Sequence, residues 1–163
     1  LPDQPAFTQL YHAHVRQVYR YLLARTGNIP DAEDLTAQTF EAALRDWGQY
    51  RGTVPVAAWL MGIARHRLAD FYRARRPLAP LDESAVAPSP PLEDWVGQQL
   101  RLEQVRRALT ALPTDQAEVI RLRLLGGLSS AEAGAVLGRS PDAVKMLLHR
   151  ALKALRAQLV EED

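Results

Sequence analysis

Two glycines four residues apart, with apolar residues before and after, allow one short helix to cross another at close range. Here they are Gly134 and Gly138. The first leaves room at the crossing, and the second tolerates the backbone of a tight turn. Ala133 and Leu137 supply the buried side of the first helix, and Val144, Leu147 and Leu148 that of the second. With these inward, Asp142, Lys145, Met146 and His149 project from the other side, with Ser140 and Ala143 at the helix start. The chemistry open to such a face is recognition of base edges in a major groove. Arg139, Arg150 and Lys153 flank it as candidate phosphate contacts. The stretch also fits an ordinary helical hairpin with a solvated basic face.

A second constellation interleaves Trp59 with Arg65, His66, Arg67, Asp70, Arg73, Arg75 and Arg76. Aromatic and cationic side chains in alternation suit a single nucleic-acid strand, through stacking and backbone attraction. Trp59 also falls in an apolar stripe and fits a core position, and the arginines also fit a solvated face. A third cluster, Asp31, Glu33 and Asp34, stands where carboxylates complement a helix dipole. No catalytic set appears, so the sequence is not read as an enzyme and no cofactor is expected. His12 and His14 are two apart on a helix and point to different faces, unlike metal ligands spaced by four. No phosphate-cradling glycine loop is visible, and no metal site is expected.

Helices must position all three groups. Phe7, Leu10, Tyr11, His14, Val15, Val18, Tyr19, Leu22 and Leu23 recur at three-and-four spacing, which predicts a first helix ended by Gly27. Pro30 opens a second, with apolar stripe Ala32, Leu35, Phe40, Ala43, Leu44 and Trp47. Gly48 and Gly52 bracket a loop before a third helix from Val56 to the basic run Arg73, Arg75, Arg76. Later, Val96 to Leu112 reads as a helix stopped by Pro113. Thr114 is expected to cap the next, which runs towards Gly126 and Gly127. Ser129 caps a short helix ending at Leu137, and Ser140-Pro141 starts a last one reaching about Leu159.

The expectation is an all-α chain: two small helical domains, residues 1–76 and 92–163, joined by a proline-rich linker at 77–91. The linker reads PLAPLDESAVAPSPP, poor in large apolar residues. It spans at most about 50 Å extended, so the domains can lie apart or fold back on each other. A net charge of +1 is small for a nucleic-acid binder, but it conceals a pattern. Residues 1–76 carry ten Arg against seven acids, 77–97 four acids and no base, and 98–163 ten bases against eight acids. Zero cysteines exclude disulfides and thiolate ligands in this chain. No apolar run reaches membrane-spanning length, and no signal peptide is visible, so a cytoplasmic location is expected.

In order, the segments Tyr19 to Leu44, Ala58 to Arg76 and Ala108 to Arg156 closely resemble extracytoplasmic-function sigma factors, in their regions two and four. The resemblance implies a subunit that binds core RNA polymerase and directs promoter-specific initiation. It implies that Asp31, Glu33, Asp34, Gln38 and Glu41 dock on the polymerase clamp helices. The loop residues Gln49, Tyr50 and Arg51, with Trp59, Arg65, His66, Asp70 and Arg73, would capture the melted minus-ten strand. The helix from Ser140 would read the minus-thirty-five duplex through Arg139, Ser140, Asp142, Ala143, Lys145, Met146, His149, Arg150 and Lys153. It also implies an inhibitory anti-sigma partner. The chain departs from the family pattern at Ala37-Gln38, where Gln-Glu is usual, at His66, where Asn is common, and at Asp142 to Met146, so a promoter sequence does not transfer from relatives. The alternative is a stand-alone helix-turn-helix regulator, which should bind duplex without polymerase, commonly as a dimer on two half-sites.

Overall fold

The computed structural model describes residues 4–75 and 93–161, and the expected linker at 77–91 lies outside them. No strand occurs among the described residues. Helix α1 spans Gln4–Thr26, α2 Ile29–Asp46 and α3 Val56–Arg75. Beyond residue 92 come α4 at Glu93–Ala111, α5 at Thr114–Ile120, α6 at Ser130–Leu137 and α7 at Pro141–Glu161.

Local chemistry sets most of these boundaries. Gly27 takes φ +65°, a left-handed backbone that closes α1, and its N–H donates to the Leu23 carbonyl at 2.8 Å. Asn28 then caps α2 by accepting from the Asp31 N–H at 3.0 Å, with Pro30 in the first turn. One expectation fails here: Thr114 does not cap α5 but is its first residue, and Pro113 holds the cap position with no side-chain bond. Proline's fixed φ and extended ψ end α4 and launch α5 in a single residue. Another difference follows α5, where Arg121–Leu125 forms one wide π-type turn. Its closing bonds run from Gly126 N–H to the Arg121 carbonyl at 2.7 Å and from Leu128 N–H to the Leu122 carbonyl at 3.0 Å. The wide turn leaves both Leu122 and Leu128 buried.

α1, α2 and α3 pack on one another, and α5 and α6 both pack on α7, with α4 against α5 and α7. The two groups also touch, α1 lying on the π turn and α3 on α6. Buried apolar side chains form one continuous cluster running from Leu10, Val18 and Leu22 through Leu60 and Leu68 to Leu122, Leu128, Val144 and Leu147. Each such side chain contributes roughly 1.5–3 kcal/mol on burial. The chain is therefore folded back on itself.

Candidate nucleic-acid interface

The helix-turn-helix is built as its spacing requires. Ser129 accepts from the Glu132 N–H at 3.1 Å, while the Glu132 carboxylate accepts from the Ser129 N–H at 2.8 Å, a reciprocal cap that fixes the start of α6. Gly138 follows α6 at φ +67°. Gly134 is buried, and a Cβ there would collide with the Arg139 carbonyl oxygen. The same two residues are joined by a bond from the Arg139 N–H to the Gly134 carbonyl at 3.0 Å. Ser140 caps α7, accepting from the Ala143 N–H at 3.1 Å. Ala133, Val144 and Leu147 are buried, with Leu137 and Leu148 half-buried against them.

On the outward side of α7, Asp142, Lys145, Met146, His149, Arg150 and Lys153 are exposed. Met146 is 64% exposed, an apolar side chain free to meet a thymine methyl. Ala143 is half-buried, and Asp142 stands in the first turn of α7, where a carboxylate complements the helix dipole. Arg139 pairs with Asp115 at 3.3 Å, and both are exposed enough for that pair to contribute little.

The α3 face is divided. Trp59 is half-buried in an aromatic cluster with Tyr50, 4.9 Å away between ring centroids, and Trp47. Tyr50 stacks nearly parallel on Trp47 and donates its hydroxyl to the Val54 carbonyl, which shapes the loop carrying Gln49 and Arg51, both exposed. The Trp59 ring packs in this cluster and also borders an open groove. That groove, about 380 Å³, runs along Ala58, Trp59, Gly62, Ile63, His66 and Arg67 on α3 and Ala42 and Asp46 on α2. His66, Asp70 and Arg73 form a solvent-side series, with His66 Nε2 at 3.7 Å from Asp70 and Arg73 donating to the same carboxylate.

Arg65 is not with them. It turns towards the carboxy-terminal helices, its Nε 3.2 Å from the Glu118 carboxylate and its terminal nitrogen 3.4 Å from the Val136 carbonyl. On α2, Glu33, Asp34, Gln38 and Glu41 are exposed, whereas Asp31 is half-buried and paired with Arg75 at 3.1 Å. The Arg75 guanidinium lies 4.0 Å above the Phe71 ring.

The sequence reading missed Glu118, Tyr21, Arg25 and Arg121. Glu118 is only 3% exposed, and Tyr21 is fully buried. The Tyr21 hydroxyl donates to Glu118 at 2.5 Å, and Arg25 reaches both the carboxylate at 3.0 Å and the tyrosine oxygen at 3.2 Å. Arg121 adds a fourth partner at 3.6 Å. Burial, reinforced by the Glu118 charge, pushes the Tyr21 phenol well above its ordinary value. Burial works against the Arg25 cation, but Tyr21 and Glu118 more than offset it, so its pKa rises. Arg121, desolvated and facing Arg25, is lowered. One signal was available: Glu118, Leu122 and Leu125 share a helical face at four-and-three spacing, which places the acid on a buried stripe.

Comparison with known proteins agrees with this layout. Residues 10–77 match the family described as Sigma-70 region 2, and residues 102–155 match Sigma-70, region 4. The ECF RNA polymerase sigma factor BldN of Streptomyces coelicolor is 39% identical over 169 residues, covering 99% of this chain but 62% of BldN. The ECF RNA polymerase sigma factor ShbA of Streptomyces griseus is 36% identical over 160 residues, covering 89% of this chain and 83% of ShbA. Among solved structures, CnrH in complex with the cytosolic domain of CnrY is similar at a TM-score of 0.70 and 30% identity, over 99% of this chain and 92% of that one.

Proposed function

The chain belongs to the extracytoplasmic-function RNA polymerase sigma factors of the sigma-70 family, and on that premise we propose that it binds core RNA polymerase and directs it to promoters. Residues 1–76 act as the region 2 domain, 92–163 as the region 4 domain and 77–91 as the linker between them. The exposed α2 residues Glu33, Asp34, Gln38 and Glu41 face the polymerase, with Asp31 acting chiefly as the partner of Arg75. The open groove beside Trp59 and His66, with the loop at Gln49, Tyr50 and Arg51, receives bases of the melted minus-ten strand. Extruding a base costs a few kcal/mol, which stacking on the Trp59 and Tyr50 rings and edge hydrogen bonds offset. The exposed face of α7 reads the minus-thirty-five duplex through Lys145, Met146 and His149, flanked by Arg139, Arg150 and Lys153.

The observation that carries this reading is the helix-turn-helix at α6–α7, whose cap, crossing glycine and turn glycine are all in place in the same chain as an aromatic and cationic α3 face. The reaction itself is the polymerase's, and this chain supplies binding and specificity without catalysis. Similarity to CnrH bound to a cytosolic protein domain supports control by an anti-sigma partner that occludes the polymerase-binding surfaces. The test is run-off transcription with bacterial core polymerase, with and without the protein, on a library of genomic promoter fragments. Start sites that depend on the protein are expected. No stimulation, together with tight duplex binding by the protein alone, would instead identify a stand-alone regulator.

A further inference from the structure

One carboxylate in the carboxy-terminal half collects most of the charged contacts between the halves. Glu118, on α5, is met by Tyr21 and Arg25 from α1 and by Arg65 from α3, at 2.5, 3.0 and 3.2 Å. Its remaining partner, Arg121, comes from its own half. The other polar contacts across the junction aim cations and an amide at backbone carbonyls. Arg65 donates to Val136 in the last turn of α6 at 3.4 Å. Arg106 of α4 donates to Thr26 at the end of α1 at 3.3 Å, its guanidinium filling the space that a side chain at Gly27 would need. Gln17 donates to the Gly127 carbonyl at 3.3 Å. Carbonyls in the last turn of a helix lack intrahelical partners and carry the negative end of the dipole, so cations suit them.

A planar guanidinium holding a carboxylate is bound much as it would hold a phosphate. Arg65 is among the residues assigned above to the minus-ten strand, and in the folded-back chain it is engaged on Glu118. We propose that Glu118 stands in for a DNA phosphate, latching the two halves together and withholding Arg65 from single-stranded DNA until polymerase parts them; this rests on the sigma-factor reading of α3. The chemistry favours a reversible latch. Buried ion pairs add little net stability, because separated charges recover hydration, yet removal of one partner leaves the others buried and uncompensated. The contact therefore fixes one arrangement without making it permanent.

The native chain has no cysteine, so Ala13→Cys on α1 and Ala157→Cys on α7, both at exposed positions, give two unique labelling points for energy transfer. In this labelled chain, a single short-distance population is expected. Glu118→Gln keeps shape and removes charge, and it should raise the open-to-closed ratio roughly tenfold or more, as expected for losing hydrogen bonds to a charged group. Tyr21→Phe keeps the ring and removes one bond, so it should open the chain by a smaller factor and still reports if Glu118→Gln does not fold. Binding of a fluorescent, random-sequence single-stranded oligonucleotide should tighten in step with opening. Unchanged distance distributions in both variants would overturn the latch. Opening without tighter strand binding would overturn the role of Arg65. The distance measurement needs neither polymerase nor promoter, so a failed transcription test leaves it able to decide.

Discussion

Gly134→Ala is a stringent test of the helix-turn-helix geometry, because two physical effects of opposite sign compete at one atom. In an isolated helix, alanine is better than glycine by about 1 kcal/mol. At this crossing the added methyl collides with the Arg139 carbonyl oxygen, a backbone atom with no rotamer to escape into. Retreat of that carbonyl would stretch the bond from the Arg139 N–H to the Gly134 carbonyl, 3.0 Å long, and shift the turn that delivers Ser140 to its cap. Overpacking of this kind costs about 1–3 kcal/mol, and a weakened backbone bond adds about 1 kcal/mol. Net of helix preference, the loss should be about 1–3 kcal/mol. For a chain of 163 residues, roughly 2–4 °C per kcal/mol applies, so Tm should fall by about 2–12 °C. The control is Ala135→Gly, at an exposed position of the same helix, which should lose only the helix-propensity term of about 1 kcal/mol. Thermal unfolding followed by circular dichroism measures both. If Gly134→Ala were as stable as the native chain or more so, helix preference would have won, and the close crossing would be wrong.

Replacing Lys145 and His149 together by Ala should weaken binding to a minus-thirty-five duplex while leaving Tm unchanged, since both side chains are exposed on the face away from the core; unaltered binding in a gel-shift titration would remove them from the readout. Val144→Asp should unfold the carboxy-terminal helices, because Val144 is fully buried and an unpaired carboxylate there costs several kcal/mol; a normal melting curve would show that α7 faces the other way. Alkaline stability should report Tyr21. Its pKa is raised by folding, so its contribution is complete below the ordinary tyrosine value of about 10 and is lost as pH climbs towards the folded value. Tm should therefore drop less steeply above about pH 10 in Tyr21→Phe than in the native chain, and identical profiles would refute that account.

The helices and the helix-turn-helix were legible because their determinants are local. Gly27 stops α1, Pro30 sits in the first turn of α2, Ser129 and Ser140 cap α6 and α7, and each signal acts within a few residues of itself. The π turn was not legible, since nothing in Arg121 to Leu125 marks it apart from the glycines that follow. Thr114 misled because a threonine after proline matches a cap by type, while Pro113 takes the cap position itself. The candidate interface was legible as a set of residue types but not as a set of directions. Arg65 and His66 are neighbours on α3, yet one meets Glu118 and the other solvent. The junction that separates them joins Tyr21 to Glu118 across 97 positions, and no local pattern encodes a partner so far along the chain.

The division of labour within α6 and α7 bears on how such a protein can change its target. Gly134, Gly138, Ser129 and Ser140 hold the two helices in place through crossing, turn and caps, whereas Lys145, Met146 and His149 stand outside that framework with no structural bond to break. Scaffold and vocabulary are thus written in different letters. A duplicated copy of this chain could drift through many outward triplets at nearly constant stability, because surface changes away from packed features usually stay within about 0.5 kcal/mol. Under the proposed minus-thirty-five readout, the same separation lets a designer rewrite three side chains to obtain a switch that ignores the parent promoters, with the parent fold kept as the chassis.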